Sequence, residues 1–280
     1  MPTDEPAPLV AREQLAGAYV LLTFRHAETA RAARAGQFVM LKAGTRPEPL
    51  LRRPFSIMSV DREGQAFTVF LKAVGPGSRA LAGLRVGEAA ECLGPLGRSF
   101  PPPAAGEEAL LVAGGYGIAP FRLFCEQLGT APRARVFYGG RTGHDLQIRD
   151  RFADLGVPLL PATEDGSLGH HGRVTAALEA YLDTRPGPVR LYACGPQAML
   201  QAVARLSGER GLQASVSLDP WMGCGLGTCL GCVVWIQGRE EGRPHYRCAC
   251  TEGPVFEAAT VVWPGESTSL ARRRPETSPA

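Results

Sequence analysis

From residue 8 to about 103 the chain alternates short apolar runs with glycine and proline: AYVLLTFR, GQFVMLKA, RPFSIMSV, AFTVFLKAV and GEAAECLGPLG. β-Branched and aromatic residues between turn signals predict an antiparallel β-barrel or sandwich. In this stretch only GSRALAGL, over 77–84, carries a helical period.

Near residue 104 the pattern changes. EALLVAGG (108–115) reads as a buried strand leading into a helix whose first turn holds Pro120, tolerated where an amide hydrogen has no partner. Strands over 134–140, 157–163, 189–195 and 213–219 then alternate with helices near 147–155, 173–182 and 196–206. Such alternation predicts a parallel sheet covered on both faces, with ligands at the carboxyl ends of its strands. After residue 219 periodicity stops. A cysteine loop, WMGCGLGTCLGC, is followed by strand-like CVVWIQG, a polar hairpin REEGRPHYR, and TEGPVFEAATVVW. This segment is too short for a large core of its own, so a metal staple is expected to hold it.

The pattern thus gives an α+β multidomain chain: an N-terminal barrel (8–103), a central α/β nucleotide-binding domain (104–218), a small cysteine-rich segment (219–264), and a tail (265–280) expected to be disordered. Composition adds exclusions. A net charge of +3, with its one basic run at Arg272 to Arg274 in the tail, argues against nucleic acid as partner. No apolar run approaches the ~18 residues that span a bilayer, and the N-terminus shows no secretory pattern. The expected location is cytoplasmic, where thiols stay reduced, so clustered cysteines point to metal or redox chemistry before disulfides. Cys92 and Cys125 stand alone and read as buried thiols.

Several positions carry candidate chemistry. Gly114, Gly115 and Gly117 with Pro120 form a strand-to-helix turn where bare backbone lets a phosphate or nicotinamide approach a helix N-terminus, although Pro120 replaces the third glycine of the Rossmann fingerprint. Cys194, Gly195 and Pro196 make a second such turn at the same sheet edge, and two of them predict a dinucleotide crevice. In the barrel, Arg53 and Ser56 flank a proline and suit a phosphate or flavin clamp; a solvated strand-edge arginine is the alternative. Arg141 in YGGRTGHD reads as an exposed loop arginine, with a 2′-phosphate contact as its alternative. The strongest signal is Cys224, Cys229 and Cys232, spaced C-x4-C-x2-C, which with a distant fourth cysteine is the plant-type 2Fe-2S pattern. Structural zinc is the competing reading. Spacing leaves Cys248 and Cys250 both open as the fourth ligand.

LLRRPFSI, GPLG, GGYGIAP, ATEDGSLGHHGRVT, YACGPQAM, MGCGLGTCLGC and CTEGPVF, taken in order over residues 8–264, resemble the electron-transfer subunits of heteromeric dihydroorotate dehydrogenases, iron-sulfur flavoproteins of the ferredoxin reductase-like group. The resemblance implies FAD contacts at Arg53, Pro54, Phe55 and Ser56, at Phe70, Leu71 and Lys72, and at Gly77 and Ser78. Gly114 to Pro120 and Cys194 to Pro196 would frame NAD, and the 2Fe-2S ligands would be Cys224, Cys229, Cys232 and Cys250. It further implies an FMN-containing catalytic partner in a heterotetramer of two subunits of each kind, acting in pyrimidine biosynthesis without membrane or nucleic acid. A reductase subunit serving ferredoxin or a hydrogenase is the alternative function, and a zinc-stabilised nucleotide-binding module a remoter one. Where that family carries charged residues just before the Met of the cysteine loop, this chain has Pro220 and Trp221.

Overall fold

The protein is described from a computed structural model covering residues 2–44, 49–129, 133–184, 187–237 and 244–263. The tail 265–280 and the turn of the hairpin after Gln237 lie outside the described residues.

Six strands close the barrel: β1 (Thr3–Gln14), β2 (Tyr19–Arg25), β3 (Phe38–Ala43), β4 (Arg53–Asp61), β5 (Ala66–Lys72) and β6 (Ala89–Leu96), in the order β1-β2-β5-β4-β3-β6 with every pair antiparallel. Closure pairs every edge, so no strand is left to recruit another chain. Leu22, Phe24, Ile57, Phe67 and Val69 are fully buried at its centre, each contributing about 1.5–3 kcal/mol by leaving water. The first strand starts at Thr3, ahead of the apolar runs, and carries Pro6 and Pro8. Two short helices ride on the barrel: α1 (Ala27–Ala32), opened by the His26 ring accepting from Thr29 N–H at 3.3 Å, and α2 (Pro76–Ala82). The apolar pattern missed α1 because its six residues hold too little hydrophobic surface to show a period.

The second unit is built on a seven-stranded sheet of order β10-β9-β8-β7-β11-β12-β15. Its parallel members are β7 (Glu108–Gly114), β8 (Ala134–Gly140), β9 (Leu159–Thr163), β10 (His170–His171), β11 (Val189–Cys194) and β12 (Gln213–Ser217). Helices α3 (Ala119–Leu128), α4 (Val174–Thr184) and α5 (Gln197–Glu209) cover it, while the helix expected near 147–155 is a 3-10 segment, Arg149–Leu155. Sequence order runs outward from β7 through β8 to β9, then returns to β11 on the other side, so the switch point lies between β7 and β11.

Barrel and sheet share one continuous core. Phe100 stacks on Phe121 at 5.5 Å between ring centres, and the Gln127 amide accepts from Ala35 N–H at 3.0 Å while donating to Ala33 carbonyl at 3.1 Å. The cysteine-rich segment is no separate globule either. It forms the hairpin of β13 (Val233–Gln237) and β14 (Pro244–Cys248), then sends β15 (Val255–Glu257) back as the antiparallel edge of the parallel sheet. Met222, Cys232, Ala249 and Cys250 meanwhile pack on Phe38, Met40, Leu93 and Leu96 of the barrel.

Candidate functional site

Three groups of residues meet where the barrel, the carboxyl edge of the sheet and the cysteine loop come together. The first is the pair of glycine turns. Register places Cys194 beside Ala113 on neighbouring strands, so the two turns that follow are in contact. A side chain at Gly117 would collide with the carbonyl of Cys194, and that close approach requires glycine. Pro120 is buried and opens α3, and Pro196 sits immediately before α5. Burial pushes the Cys194 thiol up to about 12, so at neutral pH it is a small uncharged wall beside Ser217, with which it hydrogen-bonds.

Two further residues stand at this edge, one inside the first turn and one that no sequence motif marks. Tyr116 lies within the first turn and is 54% exposed. Asp219, just past β12 and close enough for its charge to act on Tyr116 and Cys194, is exposed at the surface, yet desolvation raises its carboxyl. Asp219 belongs to no motif, and only the assembled sheet edge brings it to the turn that carries Tyr116.

The second group lies on the barrel. β3 and β4 pair Leu41 with Arg53, Met40 with Pro54, Val39 with Phe55 and Phe38 with Ser56, leaving residues 53–56 half-buried. The Arg53 guanidinium lies across Gly77 and donates to the Leu51 carbonyl. Ser78 Oγ accepts from the Val74 and Gly75 amides, each at 3.0 Å. Leu50, Leu51 and Val74 are exposed around this arginine, an apolar rim about a cationic donor that suits a flavin nucleotide better than open water. Phe70 and Leu71 have their side chains in the core, so they can offer a ligand only backbone. Lys72 is engaged: its Nζ lies 3.3 Å from Asp145 Oδ1 and 4.6 Å from the centre of the Tyr19 ring, while Tyr19 hydroxyl donates to the same Oδ1 at 2.9 Å. This three-way contact joins barrel to sheet and was invisible in sequence, because its members are 126 and 73 residues apart.

The third group is the five thiols. Cys224 Sγ accepts from Leu226 N–H at 3.3 Å and from Thr228 hydroxyl at 3.5 Å, and Gly231 N–H is aimed at Cys229 Sγ at 3.5 Å. Desolvation raises the Cys224 thiol, but donors from Thr228, the Leu226 amide and Cys229 outweigh it and hold it down at about 6. Among the described residues no three metal-ligating side chains converge on one point; Cys224 lies against Cys229, and Cys232 against both Cys248 and Cys250. A two-iron cluster would take four of these five as thiolates, and N–H groups directed at sulfur are what its charge needs.

Cys248 and Cys250 both reach Cys232, yet they differ. Cys250 is 1% exposed and takes a hydrogen bond from the Gly227 amide. Cys248 is half-buried, points its thiol at the Gly227 carbonyl at 3.9 Å, and has its own amide bound by Glu252 Oε2 at 2.9 Å. Burial and the neighbouring Cys232 raise both thiols, Cys250 to about 12, so thiol acidity does not choose between them; the burial of Cys250 and the amide directed at it are what distinguish it.

A flavin reductase-type barrel, a nucleotide-binding sheet and a cysteine loop packed between them define an iron-sulfur oxidoreductase subunit of ferredoxin reductase-like fold. Residues 219–262 match the iron-sulfur cluster binding domain of dihydroorotate dehydrogenase B, and residues 111–205 match the oxidoreductase NAD-binding domain. The chain is 35% identical to the dihydroorotate dehydrogenase B (NAD(+)) electron transfer subunit of Desulforamulus reducens over 86% of its length and 92% of the relative's. It is 40% identical to the subunit of the same name from Bacillus mycoides, over 81% and 86%. Among solved structures, an NADH-dependent reduced ferredoxin-NADP oxidoreductase superposes with a TM-score of 0.82 at 27% identity, covering 97% of this chain and 95% of that one. The chain belongs to the family of dihydroorotate dehydrogenase B electron transfer subunits. Among the described residues no helix is long and apolar enough to cross a membrane.

Proposed function

We propose that this chain takes electrons singly from the FMN of a separate catalytic subunit through a 2Fe-2S cluster on Cys224, Cys229, Cys232 and Cys250, and delivers them as hydride to NAD+. The observation that carries this reading is the seating of the cysteine loop directly on the barrel: a Cβ at Gly225 would lie 2.8 Å from Met40 Cγ, and at φ +76° the position favours glycine in any case. The loop thereby abuts the strands proposed to hold FAD. Bound there, the cluster supplies one-electron capacity and the flavin converts single electrons to the hydride a nicotinamide accepts.

The chain's own residues bind, orient and shield. Arg53 supplies the cationic donor for flavin phosphate, with the Gly77–Ser78 turn beside it and Pro54, Phe55 and Ser56 along the half-buried strand edge. Phe70, Leu71 and Lys72 contribute backbone, and Lys72 also fixes the barrel against the sheet through Asp145. Gly114, Gly115 and Gly117 give a dinucleotide access to the start of α3, while Gly195 and Pro196 close the opposite lip. Cys194 keeps water from the reacting face without itself ionising.

Trp221 is 94% exposed, and Leu226 and Leu230 are also exposed on the cysteine loop. An apolar rim around an electron port fits a partner subunit, and a cytoplasmic complex of two subunits of each kind is the assembly proposed. The likeness to the NADH-dependent ferredoxin-NADP oxidoreductase supports a second reading, a subunit serving ferredoxin. The higher identity to the dihydroorotate dehydrogenase relatives favours the first. Iron, labile sulfide, flavin and zinc analysis of the purified chain tests the cofactor reading. Two irons, two sulfides and one FAD per chain are expected; zinc without sulfide contradicts it.

A further inference from the structure

We propose that Asp219, just past β12, is the proton port of the flavin site: it supplies the proton that leaves the chain within the hydride, and takes that proton back when electrons run the other way. The inference rests on the reading of this chain as a relay of 2Fe-2S cluster, FAD and NAD.

A 2Fe-2S cluster passes single electrons and no protons, whereas a nicotinamide takes a hydride, which is two electrons and one proton. One proton per NADH must therefore reach flavin N5 from outside the electron path. The O–H bond of a donor on the chain breaks and an N5–H bond forms. That hydrogen then departs with both electrons to nicotinamide C4, and the donor regains its proton from solvent. Such a donor has to stand at the reacting edge of the crevice, be open to water, hold its proton more firmly than an ordinary carboxylate, and be free of other hydrogen bonds.

Asp219 meets these conditions. Parallel pairing sets Ser217 beside Cys194, so the chain beyond β12 runs on from the same sheet edge as the Gly195–Pro196 turn. Leu218 is buried and its N–H donates to the Pro254 carbonyl at 2.9 Å, which fixes the residue before Asp219. The charge of Asp219 acts on both Cys194 and Tyr116, and Tyr116 is also within the influence of Lys72 on the flavin strand β5. These neighbours place Asp219 where the flavin strand meets the nicotinamide turns. It is exposed, desolvation raises its carboxyl above the ordinary 3.8, and among the described residues its side chain has no hydrogen-bond or ion-pair partner. The other titratable groups at this junction are unsuited. Lys72 is tied to Asp145 and Tyr19. The Cys194 thiol is buried and pushed up to about 12. The Tyr116 phenol is raised above its ordinary 10.0, first by burial and then by Asp219 and Cys194 against Lys72, so it exchanges protons poorly near neutral pH.

The test is stopped-flow kinetics of the chain carrying FAD and cluster, with the two halves of NADH-dye turnover measured apart. Hydride from NADH brings its own proton, so reduction of the chain by NADH should change little in Asp219→Asn. Reoxidation by a one-electron dye has to shed that proton, and should slow about a hundredfold in the variant, within the range of general acid–base catalysis. Asp219→Glu should keep the rate, and added formate should restore it in Asp219→Ala. A readout without turnover is the carbon-13 carboxyl signal that Asp219→Asn removes: in the chain freed of FAD it should titrate above 3.8, and adding FAD should move its midpoint. Unmoved reoxidation in Asp219→Asn, slowing of that step by Tyr116→Phe in its place, or titration at or below 3.8 overturns the proposal. If the chain binds neither FAD nor cluster, the relay reading falls with it; if both bind and Asp219→Asn reoxidises like wild type, only the role of Asp219 falls.

Discussion

Cys224, Cys229 and Cys232 are proposed as ligands on a spacing that sequence displays, whereas the proposal of Cys250 as the fourth rests on family resemblance and on surroundings that sequence hides. Two residues separate Cys248 from Cys250, and both approach Cys232. One is buried with an amide directed at it; the other faces a carbonyl and a carboxylate. Serine at Cys224, Cys229, Cys232 or Cys250 should abolish the visible and electron paramagnetic resonance signals of the cluster, while Cys248→Ser should keep them. A cluster that survives Cys250→Ser but is lost in Cys248→Ser reverses the assignment. The barrel residues Arg53, Gly77 and Ser78 were likewise legible as a group only through family resemblance, since a lone arginine beside proline has no periodicity to mark it.

At the scale of elements, the alternation of strands and helices from residue 108 to 217 was legible because strands buried on both faces and amphipathic helices have different periods. The return of β15 to the sheet was not: three residues, Val255–Glu257, are too few to show any period, and their pairing with β12 is set by the loop that precedes them. The cysteine loop between β12 and β13 bears on function through Gly225. Gly225→Ala should cost about 1–3 kcal/mol by overpacking against Met40, seen as a lowered melting temperature and reduced iron per chain while NAD+ affinity holds.

The joint of Tyr19, Lys72 and Asp145 makes a second element-scale prediction. Burial raises the Asp145 carboxyl, but Tyr19 and Lys72 outweigh it and hold it below its ordinary 3.8. Lys72 is held above its ordinary 10.5, chiefly by Tyr19 and against its own desolvation. The Asp145 contribution is full above 3.8 and lost as pH falls through its lower folded value; that of Lys72 is full below 10.5 and lost as pH rises through its higher one. Asp145→Asn should therefore destabilise by about 1–2 kcal/mol at neutral pH, with the difference from wild type shrinking in acid. A pH-independent difference in denaturant midpoints would contradict the ion-pair account.

Across the whole molecule, three modules use nearly the entire chain and share buried surface, so the proposed electron route from the cysteine loop to the nucleotide crevice would cross packed protein. Sequence divided the chain near residues 104 and 219, where periodicity changes, yet Phe100 and Val255 bind the units into one core, because packing partners need not share a pattern. The relatives are named electron transfer subunits, which is why a separate catalytic partner is proposed for dihydroorotate oxidation. The most direct test compares NADH formation from dihydroorotate by the chain alone, by its complex with a co-expressed catalytic subunit, and by the complex carrying Cys232→Ser. The account predicts no product from the chain alone, NADH from the wild-type complex, and none from the Cys232→Ser complex although that variant keeps its flavin and its NADH-dye activity. Dihydroorotate turnover by the chain alone, or undiminished NADH from the Cys232→Ser complex, would contradict it.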